Sequence, residues 1–114
     1  MLNDNVLNEC MGLIKYYDIY DEYVTDGEFD INKFKNGFIW YLIAYHRISF
    51  SEEFIREFKD YVSWECVSLG QTLSEEFICE HLNQININKL FKNKNIKLTK
   101  EFKDKIKVLK MLIE

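Results

Sequence analysis

The pentapeptide SEEFI occupies residues 51–55 and returns at 74–78, an offset of 23 residues. A weaker copy, LTKEF at 98–102, aligns Thr99 with Ser74, 25 residues on. Recurrence at a short period constrains the fold strongly, because units of this size bury their apolar faces only by stacking on neighbours. The chemistry of the pentamer says what it does. Ser51 and Ser74 are good helix N-caps, and Glu52, Glu53, Glu75 and Glu76 set negative charge at the positive end of the helix dipole. The residue before each cap (Phe50, Leu73) and the fourth helical residue (Ile55, Ile78) are apolar, which is the hydrophobic-staple pattern. SEEFI therefore starts a helix, twice.

Periodicity extends each start into a unit of a three-turn helix followed by a shorter one. Phe54, Ile55, Phe58, Tyr61 and Val62 form the inner face of the first long helix. Phe77, Ile78, His81, Leu82 and Ile85 form that of the second. Ser63 caps the short helix WECVSLG, with Trp64, Val67 and Cys66 or Leu69 inward and Gly70 as its stop. The second short helix is expected at Asn88–Asn93, with Leu90 and Phe91 inward. The third copy opens a terminal helix over 100–113, with Phe102, Ile106, Leu109 and Ile113 inward and Lys100, Lys103, Lys107 and Lys110 as an outward stripe.

Upstream, residues 3–17 read as a helix capped by Asn3 or Asp4, with Val6, Leu7, Cys10, Met11, Leu13, Ile14 and Tyr17 on one face. A second helix, 33–47, capped by Asn32, is apolar nearly all round and reads as the central buried helix. Gly37 within it suggests close packing. Between them, in YYDIYDEYVTDGEFDIN (16–32), acids alternate with tyrosines around the turn dipeptide Asp26-Gly27. Residues 19–31 are read as a loop containing at most a small β-hairpin. With no proline and four glycines in 114 residues, the chain favours helices joined by short turns. The expectation is one all-α domain, residues 1–114, with N-terminal helices and an acidic loop over 1–48 and helix-pair repeats over 49–114 stacked on the central helix.

The longest uncharged apolar run, FIWYLIAY at 38–45, is well below the ~20 residues that span a bilayer. The N-terminus has neither a basic region nor a long apolar stretch, so no signal peptide is read. Residence in the cytoplasm of a bacterial host cell, without membrane contact, is expected. Cys10, Cys66 and Cys79 are widely spaced and odd in number, which favours reduced, partly buried thiols. With no CxxC and with His46 and His81 far apart, no metal site and no cofactor are expected.

Catalysis needs groups brought together with split pKa values. The carboxylate pairs at Glu52/Glu53 and Glu75/Glu76 are already explained as capping. Cys79 and His81 lie two apart, so on a helix the histidine cannot serve the thiol as base, and His81 reads as a core residue. No phosphate-cradling glycine loop or GxSxG elbow is present. A non-enzymatic role is expected.

The pattern W-x-x-V-S-x-x-Q-x-L-S-E-E-F-I, from Trp64 to Ile78, resembles a short tandem repeat of phage, prophage and giant-virus proteins. Trp40–Phe54 is a looser copy without the glutamine, the last copy lacks both Trp and Gln, and residues 1–31 do not match. The resemblance implies a viral or mobile-element origin and a structural or binding role, and it carries no known activity.

Charge is distributed unevenly. Residues 1–31 carry eight acids and one lysine, net −7, whereas residues 81–114 carry three acids and nine lysines, net +6. Such asymmetry bears on partners and steering rather than on fold. The acidic segment, with Tyr16, Tyr17, Asp18, Tyr20, Asp21, Glu22, Tyr23, Asp26, Glu28 and Asp30, is the expected partner surface. Carboxylates can occupy a channel whose lysines and arginines otherwise meet phosphates, and tyrosines add contact area at small entropic cost. The bland reading is a solvated loop with its tyrosines in the core. The expected function is binding and inhibition of a host protein or ribonucleoprotein complex, in the manner of an anti-CRISPR protein acting on a CRISPR-type effector. Two alternatives stand beside it. One is a small regulator that binds nucleic acid directly through Lys100, Lys103, Lys107 and Lys110. The other is a self-associating repeat scaffold.

Overall fold

A computed structural model describes residues 2–40 and 48–113. The described chain is mostly helical and carries a two-stranded antiparallel sheet. Helix α1 (Asp4–Tyr16) is capped by Asn3, whose side chain accepts from Val6 N–H, and it buries Val6, Cys10, Leu13 and Ile14 as the periodicity predicts. A four-residue helix α2 (Tyr20–Tyr23) leads into β1 (Val24–Thr25) and β2 (Glu28–Phe29), with Val24 opposite Phe29 and Thr25 opposite Glu28. The small hairpin is therefore present within 19–31.

The expected 33–47 helix is shorter and starts earlier. Helix α3 spans Ile31–Gly37, and its cap is Asp30 rather than Asn32, with the Asp30 carboxylate accepting from Lys33 N–H at 3.0 Å. Phe38 turns to extended backbone, φ −73° and ψ 141°. The Lys35 carbonyl, which a continuing helix would give to the amide four residues on, accepts instead from the Trp40 indole at 3.2 Å. Residues 41–47 of the expected helix lie outside the described residues. Tyr23 packs edge-on against Phe34 at 5.4 Å, and a Cβ placed at Gly37 would lie 3.0 Å from the Tyr23 hydroxyl, which accounts for the glycine.

The SEEFI segments form α4 (Glu52–Glu57) and α6 (Glu75–Glu80), each capped by its serine, with Phe54 N–H and Phe77 N–H each 3.1 Å from the serine hydroxyl. Both helices are shorter than three turns. After α4 the Lys59 carbonyl accepts from the Trp64 indole at 2.9 Å, so Trp64 removes an acceptor that another helical turn would need, as Trp40 does after α3. Tyr61, expected inward, is 37% exposed. Helix α5 (Trp64–Gly70) is capped by Ser63; the second short helix, α7, comes after α6 and spans Ile87–Leu90 with Asn86 as its cap, rather than the expected Asn88–Asn93. The Ser68 hydroxyl fixes this start by accepting from Asn86 N–H at 3.0 Å. The last helix, α8 (Lys100–Ile113), has the predicted span; Phe102 and Ile106 are buried and Leu109 half-buried, but Ile113 is exposed.

Among the described residues the core forms two clusters in chain order. The first joins α1 to α4 around Phe34, which touches the rings of Tyr23, Phe29, Phe38, Trp40 and Phe58. The second joins Ile55, Val67, Phe77, Ile78, Ile85, Leu90, Phe102 and Ile106. Helices α1–α3 pack only in the first and α8 only in the second, giving an elongated body of 51 × 25 × 21 Å with a radius of gyration of 15.6 Å. A compact chain of 100 residues has about 13 Å.

Candidate interaction surface

The segment of unusual composition is held by three backbone devices. Helix α1 ends with Ile19 N–H donating to Ile14 C=O at 2.8 Å and Asp18 N–H to Lys15 C=O at 3.2 Å, the paired bonds of a Schellman stop. Asp18 takes the left-handed position, φ +56°. In the hairpin, Asp26 and Gly27 have φ +53° and +79°, as a type I′ connection demands. Asp30 then closes the segment by donating its N–H to Tyr23 C=O at 2.8 Å while capping α3. Asp18 and Asp26 are the non-glycine residues at positive φ among the described residues. Left-handed backbone costs a side-chain-bearing residue on the order of 1 kcal/mol against glycine.

These devices place the carboxylates and the tyrosines differently. Asp18, Asp21, Glu22, Asp26, Glu28 and Asp30 are all exposed, and among the described residues no lysine or arginine forms an ion pair with any of them. Of the tyrosines, Tyr23 is buried, Tyr17 and Tyr20 are half-buried in the first cluster, and Tyr16 is 64% exposed. Tyr17 lies edge-on to Tyr16 at 5.0 Å and to Phe38 at 5.9 Å. Burial, then the neighbouring Tyr16, raises the Tyr17 phenol pKa; burial, then Glu22, raises that of Tyr23. The surface is thus carboxylate-rich with Tyr16 as its exposed ring, and the other tyrosines stiffen it from beneath.

The four lysines of α8 do not form one outward row. Lys100 is exposed, but the Lys103 and Lys107 ammoniums lie 5.6 and 5.4 Å from the centre of the Phe91 ring. Lys110 turns inward: it is half-buried and donates to the carbonyls of Leu82 and Ile85, the latter at 3.0 Å. Those carbonyls lie in the connection after α6 without a helix to receive them, so the ammonium is drawn in.

Among the described residues no group of three His, Cys, Asp or Glu side chains could hold a metal, and no helix is long and apolar enough to cross a membrane. His81 is buried, its Nδ1–H donating to Phe77 C=O at 3.0 Å and its ring packed against those of Phe77 and Trp64, at 4.2 and 5.3 Å. Cys10 is fully buried, and burial, then Glu9, then Glu57, pushes its thiol pKa from 9.0 to about 12.

Other polar residues proved to organise the frame that carries the surface. Glu9 accepts from both Ser51 N–H and Ser51 Oγ, and Glu52 does the same for Ser74, at 2.6 and 3.1 Å. The buried Gln71 amide accepts from Phe50 N–H at 2.8 Å and donates to Ile48 C=O at 2.7 Å. Asn93 donates to the carbonyls of Ser68 and Gln71. Among the described residues every buried side-chain nitrogen and oxygen has a partner. No protein-family profile, curated protein or solved structure matches the chain.

Proposed function

We propose that this is a non-enzymatic binding protein whose acidic end docks into a basic nucleic-acid-binding channel of a host protein or ribonucleoprotein complex and inhibits it. The observation that carries the reading is the set of six exposed carboxylates running from the stop of α1 through α2 and the hairpin to the cap of α3, two of them on backbone that would favour glycine. Carboxylates so presented meet the same lysines and arginines that would otherwise neutralise phosphates. Tyr16 adds one exposed ring, 64% accessible, beside them. The resemblance of residues 64–78 to viral tandem repeats makes a defence complex, a CRISPR-type effector in particular, the partner to test first, in the cytoplasm of a bacterial cell.

The repeat reading belongs to the same proposal. The serine caps at 51 and 74 recur 23 residues apart and the indole-to-carbonyl bonds of Trp40 and Trp64 recur 24 apart, while the glutamates that clamp the two caps, Glu9 and Glu52, lie outside that period. We take them as stacked helix-pair repeats that serve as a stiff handle for the acidic end.

The test uses purified protein and candidate nuclease complexes, read by inhibition of target cleavage. A variant carrying D18N, D21N, E22Q, D26N, E28Q and D30N retains folding, because Asn suits the left-handed positions and caps α3 as well as Asp. Inhibition should fall at least tenfold in the variant and weaken with salt in the wild type. Equal inhibition by both would sink the mechanism.

A further inference from the structure

We infer that the two ends of the molecule are complementary and that the chain associates head to tail with further copies of itself. The evidence begins on α8. Val108, Met111 and Leu112 lie at i, i+3 and i+4, one face of the helix, and are 57%, 75% and 76% exposed. Three adjacent large apolar side chains this accessible form a patch of the kind that marks a docking surface.

The surroundings of the patch select the occupant. Lys94, Lys97, Lys100, Lys105 and Lys107 are exposed in and around α8, within a segment of net charge +6. A second α8 set against this face would bring like charges together. The opposite end of the body has the matching character: net charge −7 over residues 1–31, exposed carboxylates, and its own exposed apolar residues, Tyr16 and Ile39 at 64% and 51%. The helices that carry the two features pack in different core clusters of a body 51 Å long, so one copy does not close the contact on itself. Two different surfaces meeting make a heterologous contact that adds copies in sequence, and opposite potentials favour that register over like-on-like pairing.

Sedimentation velocity of the full chain over a concentration series, at low and high salt, tests this with two one-sided variants. One, M111D/L112D, spoils the apolar end and touches no buried residue. The other is the six-carboxylate variant described above. Circular dichroism establishes that both keep their helices. The wild type should show a weight-average mass that at least doubles with concentration and shrinks with salt. Each variant should stay monomeric, and an equimolar mixture of the two should form a one-to-one dimer, because each retains the end the other lacks. A wild type that stays monomeric, a variant that associates like wild type, or a mixture that does not pair would overturn the proposal. Inhibition of a host complex is read separately: M111D/L112D keeps the acidic end and should keep inhibiting, so failure of either reading is visible without the other.

Discussion

Gln71 offers the sharpest test of how the frame is held. Its side-chain amide is buried and spans two backbone groups twenty-odd residues earlier, donating to Ile48 C=O at 2.7 Å and accepting from Phe50 N–H at 2.8 Å. Removing the amide leaves two half-buried backbone groups without partners, at roughly 1–3 kcal/mol each. A cavity of about 30 Å³, lined by Gln71, Phe50 and Trp40 among others, adjoins the site. Gln71→Ala enlarges it enough to admit water, which pairs the orphaned groups in part, so the loss should be about 3 kcal/mol. Gln71→Leu keeps the volume, excludes water and should lose about 4 kcal/mol or more. Gln71→Glu adds a sign. Its ionised carboxylate still accepts from Phe50 but repels the Ile48 carbonyl, whereas the protonated acid can donate to that carbonyl. Burial and this bond raise the carboxyl pKa in the folded state, so stability is present at low pH and lost as pH rises through that value. Urea unfolding followed by far-ultraviolet dichroism reads all three. For an m-value of about 1–3 kcal/mol per molar, the Gln71→Ala midpoint should fall by about 1–3 M. Gln71→Leu as stable as wild type would show that volume rather than hydrogen bonding matters at this position. A gap between Gln71→Glu and wild type that does not change with pH would refute the donor role.

Further outcomes follow from other sites. Ser74→Asp should destabilise by about 1–2 kcal/mol although Asp caps helices as well as Ser does, because the Ser74 hydroxyl also donates to Glu52 and a carboxylate there would face another; Ser74→Thr should be close to neutral, and equal midpoints for Ser74→Asp and wild type would dismiss the clamp. Asp18→Gly should stabilise by about 1 kcal/mol by relieving the left-handed backbone while weakening partner binding, both measurable on one sample by thermal melting and the inhibition assay. The Cys10 thiol, raised from 9.0 to about 12, keeps its proton in the folded state after the unfolded chain has lost it. Its contribution is therefore complete below pH 9 and declines by about 1.4 kcal/mol per pH unit above it; Cys10→Ala should flatten that slope in denaturant titrations at rising pH.

The legible part of the fold was local. SEEFI announced two helix starts, and both serines cap at 3.1 Å; the Asp26-Gly27 dipeptide marked the turn, in a segment read as a loop with at most a small hairpin, and the apolar periodicity of Phe102, Ile106 and Leu109 matched the span of α8. Where α3 and α4 stop was not legible, although Gly70 marked the end of α5. Their ends depend on which side chain takes a backbone carbonyl, and Trp40 and Trp64 take those of Lys35 and Lys59 through bonds that no apolar periodicity encodes. Lys110 was misplaced for a similar reason, since its partners are carbonyls in a connection whose path depends on packing. At the acidic end, composition identified the exposed carboxylates, but alternation of acids and tyrosines could not say that Tyr23 is buried and Tyr16 exposed. Glu9 carried no signal at all, because its meaning depends on Ser51, 42 residues away.

Among the described residues the two apolar clusters share few side chains. Phe50 and Val62 pack against both, and Phe50 is also the residue whose amide Gln71 holds. Cooperativity in such a chain is a property of the junction rather than of either cluster. Neighbouring regions that share little buried surface open separately under native conditions, each with its own free energy. Amides of α1 and of α8 should therefore exchange as distinct groups, linked by the strength of this joint. The acidic end can then loosen or tighten without unravelling α8, and a change at Phe50 or Val62 should alter how much each end registers of the other.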